Sequence, residues 1–168
     1  YLVTLMDRSL NGYTKVLGFL AFFWRLALTT ATGSIFGFLV ARTAYGSALM
    51  APMFIIYSFA YGLAAFLVVQ GAMYAWNKLQ FDAHIFARMK NLLALFVGAA
   101  LYFTAVMHLT NLYFAKQIDY ERFLLLDGGV YTMAFWLGQV LIGGILPLAL
   151  IFSPVGKSQG GVIVASVL

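Results

Sequence analysis

Four long apolar runs fill most of this chain, at residues 18–40, 50–73, 92–113 and 130–152, and a fifth starts at residue 160 and reaches the last residue, 168. A bilayer core about 30 Å thick needs about 20 apolar residues per helix at about 1.5 Å rise. Each of the first four runs meets that length. The run lengths predict an all-α integral membrane protein: an up-down transmembrane four-helix bundle plus the start of a fifth helix, one domain over residues 1–168. The chain begins at Tyr1 without a Met, and its fifth run stops after eight or nine residues. We therefore expect a fragment of a longer protein, with further helices on both sides.

Hydrophobic residues make up 64% of the chain and charged ones 9%, against about 25% charged in soluble domains. That balance excludes a water-soluble fold. There is no Cys, which removes disulfides, thiolate metal sites and cysteine-held clusters. The net charge of +5 sits at helix ends, where it sets topology rather than binding nucleic acid. One side of the membrane holds Arg8, Lys15, Lys78, Arg88, Lys90 and Lys157. The other holds Arg42, Lys116 and Arg122. Six basic residues against three put the first side in the cytoplasm. The 113–129 connection then faces outward, and the 76–91 connection is the longest inner loop. Residues 1–16 read as an amphipathic lead-in.

Gly33 and Gly37 form a GxxxG spacing, and Gly62, Gly98 and Gly143-Gly144 recur in the later runs. Small residues let helices approach in lipid, where burial from water gives no reason to associate. Pro52 suits the first turn of the second helix. Pro147 is expected to kink the fourth.

Polar residues inside spans carry the functional signal. His108 lies about a turn and a half before the outer end of the third run. Thr104 and Asn111, at i−4 and i+3, share its face. Such a His suits donation to a quinone carbonyl or proton relay, while packing against a neighbouring helix is the structural alternative. His84 belongs to the inner loop at the opposite end, so the two His cannot together hold a haem. Tyr57 and Tyr61 form an i, i+4 pair, and Gln139 is near the middle of the fourth run. Arg25 reads as lying near the inner end of the first run, shallow enough to snorkel. With Thr29, Thr32 and Gln70 it outlines a polar track rising from the cytoplasm. The outer loop gathers Lys116, Asp119, Glu121 and Arg122, suited to docking an extrinsic subunit or exchanging surface protons, or simply to solvation. No phosphate loop, metal-ligand spacing or nucleophile elbow is present.

Three stretches carry a family resemblance. They are Phe36-Gly-Phe-Leu-Val-Ala-Arg-Thr-Ala-Tyr, then Ala51-Pro-Met-Phe-Ile-Ile-Tyr-Ser-Phe-Ala-Tyr-Gly-Leu-Ala, and Ala134-Phe-Trp-Leu-Gly-Gln-Val-Leu-Ile-Gly-Gly-Ile-Leu-Pro-Leu. In order and spacing over residues 18–154 the chain resembles the NrfD-like family, membrane subunits of polysulfide-reductase-type complexes. The resemblance implies eight to ten helices in two bundles, of which this window is similar to the later one. It implies a bound quinone, menaquinone or ubiquinone, and no haem or cluster in this chain. It further implies an adjacent iron–sulfur subunit, a catalytic molybdopterin or multihaem cytochrome partner, surrounding lipids and the inner (cytoplasmic) membrane. The family's principal quinone pocket usually belongs to the earlier bundle, so a supporting or proton-conducting role is also open. The roles of His108, Asp119 and Glu121 come from their positions, not from a family motif. The expected function is electron exchange between quinone and an iron–sulfur subunit, with proton translocation an extension of it. A transporter or channel fragment, or a purely structural anchor of a redox complex, is the alternative.

Overall fold

The computed structural model describes residues 13–39, 46–77 and 82–168, the side chains of residues 157 and 159 excepted. Asp7, Arg8, Arg42 and Lys78, most of the amphipathic lead-in and the Arg42–Tyr45 end of the first family motif lie outside the described residues. Among those described, four helices are long and apolar enough to cross a membrane: α1 (Thr14–Gly37), α2 (Met50–Asn77), α3 (Ala83–Tyr113) and α5 (Val130–Phe152). A short outer helix, α4 (Ile118–Arg122), lies between α3 and α5, and α6 (Gln159–Val167) follows. The all-α membrane bundle read from the sequence is what the chain forms.

Helix ends depart from the hydropathy edges where polar residues cap or prolong a turn. Asp82 caps α3, its carboxylate accepting from the amides of His84 at 2.8 Å and Ile85 at 3.4 Å. Capping satisfies donors that a helix start otherwise leaves unpaired. α3 thus begins at Ala83 rather than residue 92, and α2 runs on to Asn77. The expected long inner loop over residues 76–91 is largely helix, and His84 stands on α3. At 31 residues α3 is about 46 Å long, well beyond the hydrocarbon thickness, so its Arg88 and Lys90 turns project into the polar zone. α1 starts at Thr14, earlier than its apolar run, and this moves Arg25 to the helix midpoint.

α1 packs chiefly on α2, α2 on α3 and α6, and α3 on α4 and α5. Gly33 is where α1 and α2 meet most closely: a Cβ there would come within 2.7 Å of the Ala51 Cα. Gly37 faces the Ser47 carbonyl, and Gly144 of α5 lies against the Leu101 side chain. These three behave as packing glycines. Gly62 and Gly98 do not, because a Cβ at either would meet nothing within 4 Å.

α5 is not one uniform helix. Residues Ala134–Ile145 are wound as a π-helix between α-wound ends, Val130–Met133 and Leu146–Phe152. Winding by i→i+5 bonds is rare and broadens the helix. Pro147 stands where the winding returns to α, and it offers no N–H to the carbonyls of the preceding turn. The deviation expected at Pro147 therefore takes the form of a change of winding that begins three turns earlier.

The apolar core lies where α2, α3, the end of α5 and α6 converge. Leu67, Leu93, Ala94, Ile151, Val162 and Ala165 form it, and Val162 is wholly inaccessible. The fifth run, read only as the start of a helix, is thus central to the packing. Ser153 and Ser158 hold the turn leading into it by accepting from the amides of Val155 and Gly161.

Candidate functional site

The polar groups of the bundle form two assemblies on one face of α3. Thr104, His108 and Asn111 are all buried, at 4%, 8% and 4% exposure. Their i, i+4, i+7 spacing puts them on one stripe. In the outer assembly, Glu121 descends from α4 and is fully inaccessible. Its two carboxylate oxygens take His108 Nδ1 at 2.7 Å and Asn111 Nδ2 at 2.7 Å. The Phe135 ring stands edge-on to the His108 ring, with centroids 4.8 Å apart. A buried carboxylate is stable only when charge and lone pairs are matched. Here a histidine and an amide each bond one carboxylate oxygen.

The expectation that Glu121 faces the surface is therefore corrected. α4 folds back over the outer end of α3 and carries Glu121 inward, while Lys116, Asp119 and Arg122 stay exposed. Arg122 bonds Asp127 at 3.0 Å with both side chains mostly in solvent. The connection is further tied to α5 by Trp136 Nε1, which donates to the Leu125 carbonyl at 3.1 Å. Gly129, at φ 56°, makes the turn into α5. One signal for an inward Glu121 was in the sequence: Phe123-Leu-Leu-Leu begins two residues after it, too apolar for a solvated loop.

The inner assembly joins three helices. Gln139 Nε2 of α5 donates to the Tyr57 hydroxyl of α2 at 3.1 Å, and Tyr57 and Thr104 oxygens are 2.7 Å apart. Thr104 spends its own proton on the Ala100 carbonyl at 2.8 Å. A hydroxyl has one proton to give. Tyr57 must therefore donate to Thr104 and accept from Gln139, so the chain runs in one direction, Gln139 to Tyr57 to Thr104 to backbone. Tyr61 stacks on Tyr57 at 5.8 Å. Among the described residues no buried side-chain polar atom lacks a partner.

Beside this chain lies a cavity of about 950 Å³. Arg25, Thr29, Tyr57, Ser58, Tyr61 and Gln139 supply its polar surface, and Leu28, Phe54, Val97 and Leu101 are among its apolar walls. Arg25 has no carboxylate within salt-bridge distance among the described residues. It lies about 16 Å along a 24-residue span. Arg25 is exposed on α1, and an Arg held at the centre of a membrane span costs about 3 kcal/mol on insertion scales. Thr29 and Thr32 bond their own helix, to the carbonyls of Arg25 and Leu28. Gln70 is half-buried on α2 and is not part of this cavity's wall. His108, Asn111 and Glu121 do not line it either. Among the described residues no group of three His, Cys, Asp or Glu could hold a metal ion.

A set of helices this apolar, with buried polar groups along one inner stripe and others around a cavity, defines a multi-pass membrane protein. The family described as polysulphide reductase, NrfD, matches over residues 2–168, and the chain belongs to that family. A curated relative, the Hdr-like menaquinol oxidoreductase integral membrane subunit of Archaeoglobus fulgidus, is 29% identical over 146 residues. Those residues are 84% of this chain and 36% of that protein, so the chain spans about a third of the relative's length. No solved structure matches the chain. The resemblance read from the three motifs is thereby borne out.

Proposed function

We propose that this chain is part of the quinone-interacting membrane subunit of a respiratory oxidoreductase complex. The single observation that carries the reading is the cavity of about 950 Å³ whose polar lining holds Arg25, Ser58 and Gln139 and no carboxylate. Small-molecule sites are mostly apolar clefts of roughly 300–1,000 Å³ with a few convergent polar groups. A quinone presents carbonyl acceptors on an apolar ring, and this lining meets acceptors with donors. The family and the menaquinol-linked relative support the same class, with menaquinone favoured over ubiquinone.

When bound, the quinone supplies two-electron, two-proton chemistry; the protein orients it and manages protons. Gln139 has one N–H committed to Tyr57 and keeps its second N–H and its carbonyl for the cavity. Tyr57 has no proton to spare and positions Gln139. Arg25 adds a cationic donor from the opposite wall. One turn beyond Thr104 on α3, His108 and Glu121 share a 2.7 Å hydrogen bond. That pair is suited to holding a proton on the outer side of the cavity. Exposed Lys116, Asp119 and Arg122 lie on the same outer connection and suit docking of an iron–sulfur subunit, itself serving a molybdopterin or multihaem partner. The cytoplasmic membrane is the expected location.

One observation favours a second reading. A helix with altered winding over a cavity at membrane depth is also a feature of transporters. A photoactivatable menaquinone analogue, applied to the intact complex, separates the two. Labelling of the α2 segment 54–61 and the α5 segment 138–143, together with quinol-dependent reduction of a redox partner, supports the quinone reading. Labelling confined to other segments, with no quinol-dependent electron transfer, refutes it.

A further inference from the structure

We infer that Arg25, Thr29 and Ser58 form a neck joining the polar cavity to a second, apolar one, and that the two make a bipartite site in which the headgroup occupies the first and the isoprenoid tail the second. The inference rests on the quinone reading and extends it to the recognition of the tail.

The second cavity measures about 570 Å³ and shares Arg25, Thr29 and Ser58 with the first. Beyond them its walls are Phe22, Phe59, Phe66, Leu92 and Phe96 with the bare backbone of Gly62. The division follows from helix geometry. On α2, residues 54, 57, 58 and 61 fall on one stripe and 55, 59, 62 and 66 on another, about a third of a turn away. Ser58 lies at the border between them. An amphiphile can therefore keep its head against Gln139 and Arg25 and turn its chain around the α1–α2 seam.

The chemistry divides along the same line. Arg25 and Gln139 face the first volume, while apolar side chains and aromatic rings dominate the second. Phe22 stacks on Phe59 at 6.3 Å and Phe59 on Phe96 at 5.3 Å, a ladder running from α1 across α2 to α3. Such a ladder offers a flat apolar track to an unsaturated chain. Gly62 explains how the track stays open. It makes no close helix contact, since a Cβ there would meet nothing within 4 Å. Its missing side chain leaves space, where Gly33 and Gly144 close it. A glycine in a helix interior is less favourable than Ala, and packing does not account for this one.

The occupant must compete with lipid tails that are equally apolar, so the groove selects by shape rather than by removal from water. Steric filling is therefore the informative perturbation. In the intact complex, Gly62→Trp is expected to raise KM for a long-tailed menaquinol roughly fivefold or more, the factor that about 1 kcal/mol commands. The same variant leaves KM for a short-tailed analogue within about twofold. Equal effects on the two quinols, or none on either, overturn the inference while leaving the quinone reading standing. A wild-type complex that turns over neither quinol overturns both.

A second measurement does not depend on a variant. A menaquinone carrying a photoreactive group at its tail is expected to label peptides containing Gly62 and Phe66 or Leu92 and Phe96 in the wild-type complex. Labelling there by a phospholipid bearing the same group on its acyl chain, undiminished by excess long-tailed menaquinone, assigns the groove to ordinary lipid and overturns the inference.

Discussion

Truncation of Glu121 to Ala tests whether the outer assembly is a buried, paired unit. Glu121 is wholly inaccessible and makes two 2.7 Å bonds, one from His108 and one from Asn111. Hydrogen bonds to a charged group are worth about 1.5–3 kcal/mol each. Losing both gives about 3–6 kcal/mol, and breaking a buried ion pair from one side costs about 3–5 kcal/mol. The two estimates agree. α4 lies beyond the end of the α3 span, beside exposed Lys116, Asp119 and Arg122, where water can reach an emptied site, so the lower part of that range, about 3 kcal/mol, is the expected loss. Glu121→Gln keeps the volume and the bond from Asn111, and should cost about 1–2 kcal/mol. The assay is equilibrium unfolding of the purified protein in mixed micelles, run as a double-mutant cycle with His108→Ala. Residues in direct contact show coupling energies of about 0.5–3 kcal/mol, and the short bond here predicts the upper half. A Glu121→Ala loss below about 1 kcal/mol, or additive effects in the cycle, would refute the buried pair.

Other substitutions discriminate packing from open space and structure from ornament. Gly33→Ala drives a Cβ into the Ala51 backbone and should cost about 1–3 kcal/mol. Gly98→Ala, with nothing within 4 Å, should be neutral or stabilising by up to about 1 kcal/mol in the same unfolding assay. Tyr57→Phe strands the Gln139 amide and leaves Thr104 without its donor. A stability loss of about 1–2 kcal/mol is expected, together with weaker binding of a quinone analogue measured by calorimetry on the intact complex. Arg122→Ala breaks a bridge whose side chains are 72% and 60% exposed; its effect on unfolding should stay below about 1 kcal/mol and vanish in high salt.

The face shared by Thr104, His108 and Asn111 was legible because helical periodicity is a local rule, and a polar stripe on an apolar span has to point inward. The partners of that stripe were less legible. Tyr57 and Gln139 were visible as candidates, yet their connection to Thr104 depends on how α2 and α5 pack on α3, which no spacing in one helix encodes. The small-residue rule divided for the same reason. It holds at Gly33 and Gly144, which face a neighbouring helix, and fails at Gly62 and Gly98, which face none. Hydropathy located the spans but misplaced three of their inner ends. A capped, charged turn such as the one at Asp82 continues a helix after the apolar run has stopped.

Glu121 shows where reading by residue class breaks down. A carboxylate among Lys116, Asp119 and Arg122 has the composition of a solvated loop, and three of those four side chains are exposed. The fourth is inaccessible because α4 is amphipathic in an unusual sense: its inward position is acidic, and what it meets is a histidine and an asparagine that α3 has already buried. Those two groups could not sit buried and unpaired without a desolvation cost of about 1–3 kcal/mol each. Their presence on α3 therefore requires a polar partner from some other element. In a chain with five acidic residues the choice is small. Of the acids on the outer side, Asp119 and Asp127 flank turns, while Glu121 stands two residues before the apolar run Phe123-Leu-Leu-Leu. The buried demand on one helix and the apolar pull after the acid point to the same residue, and neither signal suffices without the other.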